Sequence, residues 1–346
     1  MFLNIGFSNE WWHTHYGIDF DKELYMNPFK KMSTQDKMDA IMRKEYGDWG
    51  FLDNLENTSV LSRPSVGIEP YGHRFIPAMF GSQISYKSDQ APWAQTIALS
   101  KEHIMSMSAI TEDEFSSHPL VREISRQKYE LEKNGIVCSV QQNLGSVMNT
   151  AIYLRGMDLF YDFYDEPELV CKLFSLITNM MLTSYDYFSK VDGTKSPLGV
   201  GNCSVAMLSP QVYAEFVRPF DQRIMEHARN AAVPFALHQD SLIDAFIPAY
   251  KDFNYIHSFD IGCDSDVGLF RSEFPDVDIN VFLYTSTLRS FSEVELYDFM
   301  LDIATKGAPL NKIGFSVFDI DIEVPQSKIE SICKAFAWLK KQECEH

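Results

Sequence analysis

Pro234-Phe-Ala-Leu-His-Gln-Asp-Ser241 is a short apolar run that stops at a polar turn, and a helix-like stretch follows at residues 243–250. A brief apolar run bounded by a turn reads as a strand buried on both faces, the kind that parallel sheets use. Within a strand, residues two apart project to the same side. His238 and Asp240 therefore leave the strand end together, an imidazole and a carboxylate aimed at one place. Such a pair can hold a metal, or move a proton while the carboxylate orients the ring.

The same unit recurs on both sides of this stretch. Residues 136–140 and 198–202 precede it as strand-like runs, and residues 255–259, 279–284 and 313–317 follow. Amphipathic or apolar helical stretches stand between them. Asp165-Glu-Pro-Glu168 offers an N-cap and a capping box for the apolar stretch 169–188. Ser209-Pro210 is a second start signal, with Val212, Phe216 and Phe220 on one face beyond it. Residues 292–304 form another helix, stopped by Gly307, and Pro325 opens a last one through Leu339.

Alternation of this kind means parallel strands joined by crossover helices. The expected fold is α/β, a (β/α)8 TIM barrel, with two or three further strands in the aromatic first part of the chain. An open doubly wound sheet is the alternative, but no GxGxxG follows the first strand. Residues 1–346 read as a single barrel domain, with residues 1–65 an irregular, aromatic-rich extension that packs on or covers the barrel.

The charge balance narrows the partners. With 30 Lys and Arg against 48 Asp and Glu the chain carries a formal charge of −18, which repels phosphate backbones and argues against nucleic acid. No apolar run approaches the roughly 18 residues of a membrane span. The start, Met1-Phe-Leu-Asn-Ile-Gly-Phe7, has no signal-peptide pattern. The six cysteines are scattered with no CxxC, which fits reduced thiols in a cytoplasmic protein.

Five phrases carry a family resemblance. They are Gly145-Ser-Val-Met-Asn-Thr-Ala-Ile-Tyr-Leu-Arg-Gly156, Asp165-Glu-Pro-Glu-Leu-Val170, Leu208-Ser-Pro-Gln-Val-Tyr-Ala-Glu-Phe-Val-Arg-Pro219, Leu237-His-Gln-Asp240 and Val324-Pro-Gln-Ser-Lys-Ile329. In order and spacing they resemble the uroporphyrinogen decarboxylase superfamily, which includes corrinoid-dependent methyltransferases. The resemblance implies a (β/α)8 barrel that reacts substrate at the carboxyl ends of its strands.

True uroporphyrinogen decarboxylases carry Arg-Gln-Ala-Gly-Arg-Tyr near the start, and this chain has nothing similar. It has Glu10-Trp-Trp-His-Thr-His-Tyr-Gly-Ile-Asp-Phe20, Gly67-Ile-Glu-Pro-Tyr-Gly72 and Phe80-Gly81, which look more like the methyltransferase branch of O-demethylase type. An acidic protein without that arginine pair is ill equipped for an octacarboxylate. The implied activity is transfer of a methyl group from a small donor, a methoxylated aromatic, to the Co(I) corrinoid (cobalamin) of a partner protein. No cobalamin-binding Asp-x-His-x-x-Gly motif occurs in the chain itself. The alternatives are porphyrinogen decarboxylation and a small-molecule-binding barrel that has lost its chemistry.

Branch members that handle thiols bind zinc through His-x-Cys and a later Cys near the last strand. Here His238 matches, Asp240 replaces the first cysteine, and Ser316-Val-Phe-Asp-Ile-Asp321 offers Asp319 or Asp321 but no thiol. The resemblance thus implies either a zinc held by His238, Asp240 and Asp319, or a metal-free acid/base site with His238 and Asp240 as its catalytic pair. Substrate contacts are expected from Glu69, Gln141, Asn143, Asn202 and Tyr284, with Trp12 and its neighbours Trp11, His13 and His15 over an aromatic substrate. Cys203, Cys263 and His257 read as structural.

Overall fold

A computed structural model describes residues 1–47, 65–67, 71, 74–142 and 144–345. Ten strands occur among them: β1 (Phe2–Phe7), β2 (Ser65–Gly67), β3 (Ile84–Lys87), β4 (Gln90–Ala94), β5 (Ser139–Gln141), β6 (Leu198–Gly201), β7 (Phe235–Gln239), β8 (Ser258–Gly262), β9 (Asp278–Phe282) and β10 (Ile313–Ile320). Six of these form one parallel sheet in the order β1-β10-β9-β8-β7-β6. Strands β2 and β5 form a separate parallel pair, and β3 and β4 an antiparallel hairpin. Consecutive strands from β6 to β10 are neighbours, each joined to the next through helix, as parallel pairing requires.

Burial explains why these runs are strands. Along β7, Phe235, Leu237 and Gln239 are buried, while Ala236 and His238 between them are half-open. The buried set, continued by Phe259, Ile261, Val281, Phe315 and Val317, faces the helical layer. Helix Pro167–Asp192 supplies much of that layer, burying Leu173, Phe174, Ile177, Met181 and Phe188. The other face of the sheet carries the polar and small residues from which the site is built.

The opening of the chain departs from expectation. Phe2–Phe7 is a strand of the sheet itself, the last in its order among the described residues, registered on β10 from Phe2↔Gly314 to Phe7↔Ile320. Its alternation decides this: Leu3 and Ile5 are buried and Asn4 points the other way. The capping box at 165–168 also fails to form. Asp165 ends the preceding helix Asp158–Asp165, and Pro167 takes the first helical position, leaving Glu166 at the cap without a side-chain bond.

Ser209 does cap its helix, accepting the Val212 N–H at 3.2 Å. The chain then widens into a π-helical turn at Tyr213–Val217, closed by the Arg218 N–H on the Tyr213 carbonyl. Pro219, which has no N–H to give, follows directly, so the regular pattern could not have continued there. No helix among the described residues is long and apolar enough to cross a membrane.

Candidate active site

The open face of the sheet carries one continuous polar row. His238 on β7 holds Asp260 of β8 through Nδ1 and Oδ2 at 2.9 Å. Asp260 Oδ1 accepts from the Asn280 amide of β9 at 3.0 Å. Asn280 Oδ1 accepts from the Ser316 hydroxyl of β10 at 2.9 Å, and Ser316 Oγ accepts from the Asn4 amide of β1 at 3.1 Å. Five strands thus contribute one residue each, and the ladder sets His238 directly beside Asp260 and Asp260 beside Asn280. The consequence for His238 is a fixed ring with Nδ1 committed to Asp260 and Nε2 left to face outward.

Past the strand ends, Nε2 looks toward Asp240 Oδ2 at 3.7 Å. That is too long for a direct hydrogen bond, so the Nε2 proton is not fully committed. Cys203, first residue of the 3-10 turn Cys203–Met207 after β6, lies against the same ring. One ligand atom each from Cys203, His238 and Asp240 falls within 4.8 Å of the others. Burial by itself would lower the imidazole pKa, but the neighbouring Asp240, Asp260 and Cys203 outweigh it and push the value up to about 12. Asp240 moves the opposite way, held low by His238 against the effect of burial. The raised value keeps the ring protonated at neutral pH. An apolar wall stands beside it, with the Phe282 ring 4.9 Å from His238 and the Phe318 ring 5.5 Å from Phe282.

Residues 68–274, more than half of the chain, match the family model for uroporphyrinogen decarboxylase. The chain belongs to the uroporphyrinogen decarboxylase family. In fold it is similar to a methyltransferase from Methanosarcina mazei, at a TM-score of 0.63 and 11% identity over 97% of this chain and 94% of that one. A B12-independent methionine synthase from Shewanella sp. W3-18-1 aligns at a TM-score of 0.42 and 11% identity, over 77% and 76% of the two chains. No curated protein sequence matches it.

Within this uroporphyrinogen decarboxylase domain the expected residues part company. His238 and Asp240 come together at the strand ends. Tyr284 stands at the rim, its hydroxyl donating to Asp264 at 2.7 Å; burial, then that carboxylate, keeps the phenol protonated. Gln141 closes β5, and its Oε1 is buried with no hydrogen-bond partner among the described residues. Trp12 is a core residue, 4% exposed, because helix Asn9–Tyr16 stacks Trp11 on Phe7 and sets Trp12 edge-on to both. Asp319 stays apart from the cluster, in a cleft with Ser8, Glu10 and Asp89. Asp321 is paired with Arg289. Glu69 and Asn143 lie outside the described residues.

Asn202 turns inward. It is fully buried, and its amide donates to Asp221 at 2.6 Å, where the Tyr213 hydroxyl from the π-turn also donates at 3.2 Å. Its role is to anchor the end of β6, while its backbone N–H donates to the His238 carbonyl at 2.6 Å. Complete burial pushes the Asp221 carboxyl up to about 7 against the pull of those two donors. The folded pKa is therefore above the unfolded one. The stability this group contributes is present in full in acid and is lost as pH rises from the ordinary carboxylate range through about 7. A shift of this size corresponds to up to about 4 kcal/mol. Asp221→Asn should remove that slope, so urea unfolding at mildly acidic and mildly alkaline pH should separate the two proteins. An equal stability difference at both pH values would refute the neutral carboxyl.

Sequence reasoning did not single out Asp260, and it read Cys203 as a small buried residue, whereas the side chain is exposed. Asp260 follows the apolar run 255–259, so the rule that singled out Asn202 and Asp240, a polar residue ending a strand, would have found it.

Proposed function

We propose that the protein transfers a methyl group from a methoxylated aromatic to the Co(I) corrinoid of a partner protein. The observation that carries this reading is the ring of His238, held through Nδ1 by Asp260 at the open ends of the parallel strands with Nε2 facing outward. We further take β2 and β5 as the staves that complete an eight-stranded barrel around this cup. When the methyl carbon is attacked by the corrinoid, negative charge develops on the ether oxygen that departs. His238 offers Nε2–H to that oxygen, the preorganised donor such charge demands. The raised imidazolium is a weaker acid than a phenol, whose pKa is roughly 10. The phenoxide therefore leaves as an anion paired to the ring and collects its proton from water.

Phe282 and Phe318 give an aromatic donor an apolar wall. Exposed Met207, Leu242 and Ile322, just beyond β6, β7 and β10, support docking of a partner over the same mouth. The donors also fit zinc: His238 Nε2 and Asp240 Oδ2 lie 3.7 Å apart, near the separation of two ligands each ~2 Å from one ion. Zinc held there would take the place of the Nε2 proton and would supply Lewis acidity to the same departing oxygen.

The test is anaerobic methyl transfer to reduced cobalamin from a panel of methoxyarenes, methylamines, methanol and thiols, with uroporphyrinogen in parallel. The methoxyarenes are expected to react; turnover of uroporphyrinogen alone would replace this reading with decarboxylation. In the same assay Asp260→Asn should lower kcat on the order of 10²-fold with little change in KM, because the ring loses its orientation. Undiminished turnover by that variant would show that the row of polar residues is only structural.

A further inference from the structure

Cys203 sits where the family's zinc pattern has no ligand. That pattern takes thiolates two residues after the histidine and near the last strand; this chain has Asp240 and the cysteine-free stretch 316–321 there. The thiol arrives by another route. Strand β6 places Gly201 beside His238, and the bond from the Asn202 N–H to the His238 carbonyl folds the next turn over the imidazole. Asn202 is itself pinned from below by Asp221, so the position of Cys203 is built into the strand end. Sulfur, imidazole nitrogen and carboxylate oxygen then lie within 4.8 Å of one another. Among the described residues, no other group of three His, Cys, Asp or Glu side chains approaches this closely.

We propose that Cys203 is the thiolate ligand of a zinc site completed by His238 and Asp240, with ligation moved from the family's cysteine positions to the end of a neighbouring strand. Three protein ligands leave the fourth tetrahedral position open to substrate. Asp260 on Nδ1 fixes the tautomer that presents Nε2 to the ion. Ion, thiolate and carboxylate sum to zero charge, as ion and two thiolates do in the family pattern. The difference is hardness: a carboxylate in place of one soft thiolate favours oxygen over sulfur at the open position. That preference, a phenoxide leaving group rather than a thiolate, rests on the methyl-transfer reading. Ligation by Cys203 does not.

Full-length protein, reduced and stripped of metal, is titrated with Co(II), a stand-in for zinc that reports thiolate ligation by intense near-ultraviolet absorption. Stoichiometric Co(II) with that band is expected. Cys203→Ser should abolish the band and weaken Co(II) binding at least about 100-fold, and circular dichroism is expected to stay unchanged. Asp319→Asn and Cys171→Ser should leave band and affinity as they are. A wild-type protein without the thiolate band, or Cys203→Ser with undiminished band or affinity, overturns the proposal. A Cys203-dependent band in a protein that demethylates nothing upholds ligation and removes the methyl-transfer reading instead.

Discussion

His238→Ala is expected to lower methyl transfer on the order of 10³-fold, since on the proposed reading it removes the group, Nε2–H or the ion it would hold, that meets the departing oxygen. The loss should fall on kcat. The apolar wall of Phe282 and Phe318, to which the proposed reading gives the donor's ring, stays in place. The substitution also leaves Asp260 and Asp240 without the cation between them, so two carboxylates repel an anionic leaving group instead of stabilising it. His238→Gln, which keeps a donor without the charge, should recover only part of the loss. The protein should stay folded, because His238 is half-buried and lies on the open side of the sheet. Near-normal turnover by His238→Ala would remove this residue from the chemistry.

The largest expected effect on stability lies at the opposite end of the strands. Arg271 is buried, and among the described residues its guanidinium pairs with no carboxylate; it binds five backbone carbonyls. Nε donates to Gly307 at 3.0 Å, Nη2 to Lys312 at 2.9 Å, and Nη1 to Phe274, Pro275 and Val277, the last at 2.7 Å. One side chain thereby ties together the turn entering β9, the end of helix Glu293–Lys306 and the residue before β10. Burial lowers its pKa, yet a guanidinium keeps its proton throughout the usable pH range. Arg271→Ala leaves buried carbonyls unpaired and should cost about 4 kcal/mol. Arg271→Lys, a point charge without the planar fork, should cost about 2–3 kcal/mol. Urea unfolding measures both. A cost under about 1 kcal/mol for the alanine variant would mean that the loops hold themselves.

Much of the frame was legible because its signals are local. The short apolar runs at 198–202, 234–237, 279–284 and 313–317 became strands with shifted ends, and Ser209-Pro210 capped its helix as its chemistry requires. His238 and Asp240 were legible for the same reason, being two residues apart on one strand. What was not legible depends on register. Asp260 meets His238, and Cys203 meets both His238 and Asp240, because β6, β7 and β8 lie side by side at one height. Nothing in the spacing of 203, 238 and 260 announces that. Composition left the start of the chain open between a cover and core packing, and the alternation of Leu3, Asn4 and Ile5 made a strand of the sheet. The same aromatics fill the core around Trp11 and Trp12.

The most direct measurement follows the methyl group itself. A methoxyarene carrying a deuterated methyl is incubated anaerobically with the protein and Co(I) cobalamin, and the products are read by mass spectrometry. Deuterated methylcobalamin and the free phenol should appear in equal amounts, at a rate that collapses with His238→Ala. Phenol released with deuterated methanol and no methylcobalamin, or no phenol from any donor tried, would contradict transfer from an oxygen stabilised at this imidazolium.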